Sequence, residues 1–267
     1  MRTLYYIPII HTSADMGSLA KAVTERGISQ VGERNWERHV ATVHRFWDRI
    51  AQYCASLPAE GMKIYQDGLV AEGEIGAKII SAGVESGSRN YEIVLSLMRR
   101  GAQIVKTEDF KLVLEERDSI LALVQAKTFR AKISAFLKYR FIKGRLLKRR
   151  DMFIAQRINE TLALKLSGAH TSGLGPAPHS PDLSESRDAG GIIFIGACHN
   201  VKSHLPKDIK VIEIKEARKV RKYQELLPFS RRRSRRFAEL GKYLAAEIVV
   251  RPPTALSAPG ELQVGEA

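Results

Sequence analysis

Two short stretches constrain the fold more than any other feature of the chain: TLYYIPII at 3–10 and GGIIFIG at 190–196. Both are apolar or aromatic at almost every position, without polar alternation, which is the pattern of a strand buried on both faces. Both are far shorter than the ~20 apolar residues of a membrane span. A strand covered on both sides needs amphipathic helices, and helical spacing follows. Val40, Val43, Trp47 and Ile50 mark one long helix, and Ile154, Ile158 and Leu162 mark another that starts near Arg150.

Further strands are expected in MKIYQDGLV, which turns at Asp67–Gly68, in AQIVKTED and in IKVIEI. The helix YEIVLSLMRRG closes on Gly101 and leads straight into AQIVKTED, the order of a crossover unit. SAGVESGSRN before it reads as a connection. The expected class is α/β: a mixed, mainly parallel sheet of about four to five strands flanked by long helices. Pro8 is expected at a strand edge or end, because it has no N–H for a ladder.

Composition divides the chain. The main domain is expected over 1–228, interrupted at 167–190 by a Gly-, Ser- and Pro-rich insertion without periodicity, which reads as disordered. A basic helix over 229–250 and a disordered tail over 251–267 complete it. The two cysteines, Cys54 and Cys198, are far apart and form no C-x-x-C pair, so neither a disulfide framework nor a thiolate zinc site is expected. Cys198 is read as a small residue packed at a strand end. With no room for a signal-peptide apolar region before His11, a cytoplasmic location is expected.

The strand exits carry a consistent chemistry. IPII leads to His11, KIYQ to Asp67, QIVKT to Glu108 and IIFIGAC to His199. Ligands of open α/β sheets bind beyond the carboxyl ends of strands, so these four side chains are expected to converge. Such a set suits a divalent metal held by His11, Asp67, Glu108 and His199. It equally suits a metal-free base and its orienting acid. The residues leave both open. Gly196 is expected to permit a tight turn at the strand end, through positive φ or close backbone approach.

The pairing of IPIIHTS with GACH resembles the two G-x-x-H motifs of the superfamily that contains TraB, the Tiki proteases, erythromycin esterase and the haem-binding ChaN proteins. RDMFIAQRI is similar to that superfamily's helix-opening R-N-x-x-M-A-x-x-I, with Arg150 in the arginine position and Asp151 in place of the asparagine. Pro8 stands in place of the first glycine. Glu108 matches the acidic strand-end position, and Asp67, with Glu72 second, is the candidate for a further carboxylate. The resemblance implies a hydrolase-like pocket for a peptide or ester bond. In it His11, Glu108, His199 and Arg150 would act on substrate, and Arg150 would steady an anionic group from the first turn of its helix. A divalent metal (Mn, Co or Zn) is the cofactor it implies, with haem ranked behind.

Charge supports a different reading. The chain carries a formal +14, yet 130–150 contributes +9 and 202–236 another +9, so everything else sums to −4. LKYRFIKGRLLKRR interleaves Tyr139 and Phe141 with basic residues, and SRRRSRR packs five arginines into seven positions. A non-catalytic protein that binds nucleic acid, an anionic membrane surface or an acidic partner through basic helices is the alternative.

Overall fold

A computed structural model of the chain describes residues 2–15, 20–125, 128–162 and 190–249. The expected insertion, up to 189, and the expected tail lie outside these residues, as do the side chains of Tyr139 and Phe141. Five strands form one sheet: β1 (Arg2–Ile9), β2 (Lys63–Gln66), β3 (Gln103–Val105), β4 (Gly190–Gly196) and β5 (Ile209–Glu213). Their order is β3-β2-β4-β1-β5, and every neighbouring pair is parallel. The α/β class is as the sequence indicates, and every carboxyl end opens on the same edge.

The two apolar runs occupy the centre. β1 and β4 pair from Thr3 with Gly190 to Ile9 with Gly196. Tyr5, Ile7, Ile9, Ile192 and Phe194 pack to one face with Phe46, Trp47 and Ile50, while Leu4, Tyr6, Ile193 and Ile195 pack to the other with Ile154 and Ile158. This division is why polar alternation is missing from the strands. Pro8 is the penultimate residue of β1, at a strand end as expected; that strand is interior, and a local reason makes the proline tolerable. The Tyr6 carbonyl accepts from Ile214 N–H, so residue 6 and, two further on, residue 8 turn their main-chain groups toward the β5 side. The β1–β5 register ends at Tyr6 with Glu213, so Pro8 removes no bond from that ladder.

The helices are α1 (Ala20–Val31), α2 (Glu33–Ala55), α3 (Gly73–Glu85), α4 (Arg89–Arg99), α5 (Phe110–Gln125), α6 (Phe129–Thr161), α7 (Ala217–Leu226) and α8 (Ser234–Ala245). Two differ from the sequence expectation. The supposed connection at 81–90 is mostly helix, the end of α3 and the start of α4, and Gly83 is small enough to let Tyr91 pack where a Cβ would lie 2.4 Å from its ring. Arg150 does not begin a helix, because α6 runs unbroken through it, and Gly144 is not enough to end it. Gly101 closes α4 at φ 92°, as its position suggests.

Helix directions place extra mass above the carboxyl edge. The Trp47 indole N–H donates to the Ile10 carbonyl at 3.1 Å, and the Tyr53 ring lies 6.3 Å from Tyr5, so α2 runs antiparallel to β1 and its first half lies beyond the edge. α7 and α8 flank that half: His39 meets Tyr223, and Arg231 donates to the Val31 carbonyl at 2.8 Å. Leu244 of α8 joins the same core as β1 and α2. No helix among the described residues is long and apolar enough to cross a membrane.

His39 sits in an aromatic box, its Nδ1 3.0 Å from the Tyr223 hydroxyl and its ring 5.2 Å from Trp36. Burial lowers its pKa to about 4. The unfolded chain then binds a proton that the native state refuses, so stability falls as pH drops from about 6.5 toward 4, by up to about 3 kcal/mol from this group. Urea unfolding at pH 7 and pH 5 should show a smaller acid loss in His39→Phe than in the wild-type protein.

Candidate functional site

The site starts from the strand ends. β2 stops at Gln66, and Asp67 extends its pairing by one bond, N–H to the Phe194 carbonyl at 2.8 Å, before Gly68 turns at φ 80°. The chain after β3 is fixed to this turn: the N–H groups of Thr107 and Glu108 both donate to the Leu69 carbonyl, at 2.9 and 3.0 Å. Glu108 is thereby carried into full burial. After β4 the His199 N–H returns to the Gly196 carbonyl at 3.0 Å, and this turn directs the imidazole inward.

α6 supplies the groups that meet them. Arg150 donates through Nε and Nη2 to the two oxygens of Glu108, at 3.1 and 2.5 Å, and through Nη2 to Asp67 Oδ1 at 2.8 Å. Its Nη1 pairs with Glu116 of α5. One guanidinium therefore sits at the centre of three carboxylates. Burial opposes its charge, but Glu108, Asp67 and Glu116 outweigh that and raise its pKa. Burial lifts Glu108 above the usual carboxylate range, against the pull of Arg150. Burial would also lift Asp67, but the charges of His199 and Arg150, the Gly196 N–H and the charge of His11 together hold it below that range.

The next residue on the helix does something different. Asp151 Oδ1 lies 2.6 Å from His199 Nδ1, and its Oδ2 accepts from Asn200 N–H at 2.9 Å. Asp151 is not steadied by a helix N-terminus, since it sits deep in α6; His199 and the Asn200 N–H do that work. The His199 side chain is only 5% exposed, and its Nε2 lies 3.7 Å from Asp67 Oδ2. Burial would lower its pKa, but the Asp151 hydrogen bond and the charge of Asp67 leave it raised.

Of the residues expected to act together, Asp67, Glu108, Arg150 and His199 form one bonded cluster. His11 stands apart at the rim, exposed, and reaches the cluster through its charge on Asp67. One member, Glu116, escaped sequence reasoning. Glu116 lies in an ordinary helical stretch with nothing to mark it, whereas the partnership of Asp151 with His199 is foreshadowed by its place next to Arg150. Glu72 is peripheral, accepting from Lys106 N–H at 3.0 Å.

Two expectations are corrected here. Four donor contacts of Arg150 go to protein carboxylates, so it is not available to steady an anionic substrate. Cys198 is exposed and not packed. Gly196 does not adopt positive φ; its smallness serves the Asp67 carboxylate, which accepts its N–H at 2.9 Å and would lie 3.1 Å from an added Cβ.

The donor set does not fit a metal. Both oxygens of Glu108 and one of Asp67 face a fixed cation, and His199 Nδ1 is taken by Asp151. No three His, Cys, Asp or Glu side chains among the described residues are grouped to hold an ion. Arg150 occupies the position, central to the carboxylates, that a metal would need.

Removing that cation leaves buried like charges facing one another, so Arg150→Met should lose about 3–5 kcal/mol in denaturant unfolding. The pH response also has a definite sign. The stability that His199 gains from its raised pKa is fully present below the ordinary histidine value and disappears as pH rises through the folded one. The contribution of Asp67, whose pKa is lowered, holds above the ordinary carboxylate range and disappears as pH falls through its folded value. In a nitrogen-15 NMR titration the His199 ring should titrate above 6.5, and lower in Asp151→Asn than in wild type.

No family model matches the chain, and neither a curated protein nor a solved structure matches it.

Proposed function

We propose that the chain is a hydrolase of ester or peptide bonds that needs no metal, with His199 as general base and Asp151 as the residue that orients it. The observation that carries this reading is the 2.6 Å contact between His199 Nδ1 and Asp151, which leaves Nε2 directed toward Asp67 at the strand ends. A carboxylate on Nδ1 holds the proton there and keeps the Nε2 lone pair available.

The chemistry then follows in balanced steps. Water adds its oxygen to the carbonyl carbon while its proton passes to Nε2. The imidazolium is stabilised between Asp151 and Asp67, and it returns the proton to the leaving alcohol or amine as the bond to carbon breaks. Arg150 acts from beneath, keeping Asp67 and Glu108 in place as carboxylates so that a second charge can form beside them. On this reading the chain is a divergent member of the superfamily of TraB, Tiki and erythromycin esterase, and works in the cytoplasm, where the exposed Cys198 stays reduced.

The purified protein, with EDTA present, should hydrolyse at least one member of a panel of p-nitrophenyl esters and fluorogenic peptides. His199→Ala should lower kcat/KM by about 10²–10⁴ while retaining the wild-type circular dichroism spectrum. Asp151→Asn should lower kcat and shift the pH–rate profile. Equal rates in wild type and His199→Ala, or activity that EDTA abolishes and Mn²⁺, Co²⁺ or Zn²⁺ restores, would sink the proposal.

A further inference from the structure

The two basic segments are not scattered over the surface. α6 packs on the sheet face of Tyr6 and Tyr65, and Arg150 lies at the carboxyl edge, while Gly191 near the opposite end lies against Leu162. The stretch of α6 before Arg150 therefore leaves the sheet at the site, and α5 accompanies it outward: Leu112 lines a groove with Ala155, whereas Glu115 and Glu116 pair with Arg149 and Arg150. On the other sheet face, the first half of α2 extends about 20 Å past Trp47 at 1.5 Å per residue. α7 and α8 follow it to their joining turn at Val31. Two helical arms thus rise from one edge, on opposite faces, with His199 between their bases.

Both arms carry an excess of exposed basic residues, although Glu115 and Asp118 on α5 and Glu33 and Glu37 on α2 are exposed as well. On the first, Arg130, Lys143, Arg145, Lys148 and Arg149 are exposed. On the second, Arg232, Arg233, Arg235 and Arg236 are exposed around the start of α8, whose first turn holds no acid, and Phe229 stands 54% exposed beside them. Arg235 meets Glu239, but Arg232, Arg233 and Arg236 have no acidic partner among the described residues. The turn is held rigidly, with Ser230 buried and Arg231 bonded to Val31, so Phe229 is exposed by a folded loop. Between the arms, Asp67, Glu108, Glu116 and Asp151 are gathered in the largely buried cluster around Arg150 and His199.

We infer that the arms hold an RNA, whose phosphates lie along the basic helices. Charge begins at Arg149, level with the site, and continues outward along α6. A planar lipid surface would reach only the tips, whereas a phosphodiester chain can follow the length of a helix. Arginine forks suit phosphate, and an exposed phenylalanine offers a face on which a base can stack. The inference stands apart from the chemistry assigned to His199, because the arms require only an anionic polymer.

Fluorescence anisotropy with a labelled RNA hairpin bearing a single-stranded 3′ end tests it, using the full chain between about 50 and 300 mM salt. For roughly five phosphate contacts, log K should fall against log[salt] with a slope between about −3 and −5, and each removed contact should flatten it by about 0.7–0.9. The triple variant Arg232→Ser/Arg233→Ser/Arg236→Ser and the double variant Arg145→Ser/Lys148→Ser should each weaken binding and flatten the slope. The anisotropy readout needs no hydrolysis, which separates this result from any failure of the hydrolase reading. Absence of RNA binding at the lowest salt, slopes unchanged in both variants, or sedimentation with phosphatidylserine vesicles without RNA binding would overturn it.

Discussion

The organisation of the site depends on one buried cation. Arg150 joins Asp67 from the β2 turn, Glu108 from the end of β3 and Glu116 from α5, so a single side chain fixes three segments against α6. Burying carboxylates beside one another is unfavourable unless a charge of opposite sign lies between them, and the planar guanidinium can satisfy several at once. A lysine would bring one point charge and could not form the paired bonds to both oxygens of Glu108. The position of Asp67, and through it the setting of His199, follows from this arrangement.

Because Arg150 already neutralises the carboxylates, the imidazole can carry the variable proton. Its Nδ1 is tied to Asp151 and its Nε2 faces Asp67, so the two nitrogens have different tasks. Tyr6 adds a buried hydroxyl without a hydrogen-bond partner in the same electrostatic field, its ionisation pushed up by burial and by Asp151, Glu213 and Asp67. Such a group stays a proton donor at every physiological pH.

Much of this was legible in the chain. Continuous apolar runs required burial on both faces, and that requirement produced the parallel sheet and the convergence of Asp67, Glu108 and His199 at one edge. Helix boundaries were less legible. No proline or paired glycines mark 81–90 or 147–150, and what decides them is the fit of Tyr91 over Gly83 and of α6 along the sheet. Glu116 could not be seen because its role depends on the crossing of α5 over α6, a tertiary relation with no periodic trace. Gly196 was correctly singled out: of the two freedoms glycine offers, close approach and positive φ, it uses the first, and only coordinates separate the two.

Neighbouring residues on one helix can serve separate purposes because successive side chains leave the axis about 100° apart. Arg150 uses that rotation to reach the β2 and β3 ends, while Asp151 reaches the turn after β4. Any shift of α6 along its axis would move both, so the geometry of the Arg150 ion cluster and the orientation of His199 are mechanically linked. The same helix continues outward as one basic arm. Whatever the arms hold therefore bears on the element that aims the imidazole, and a ligand that bends α6 would be felt at His199 through Asp151 before it touched the site itself.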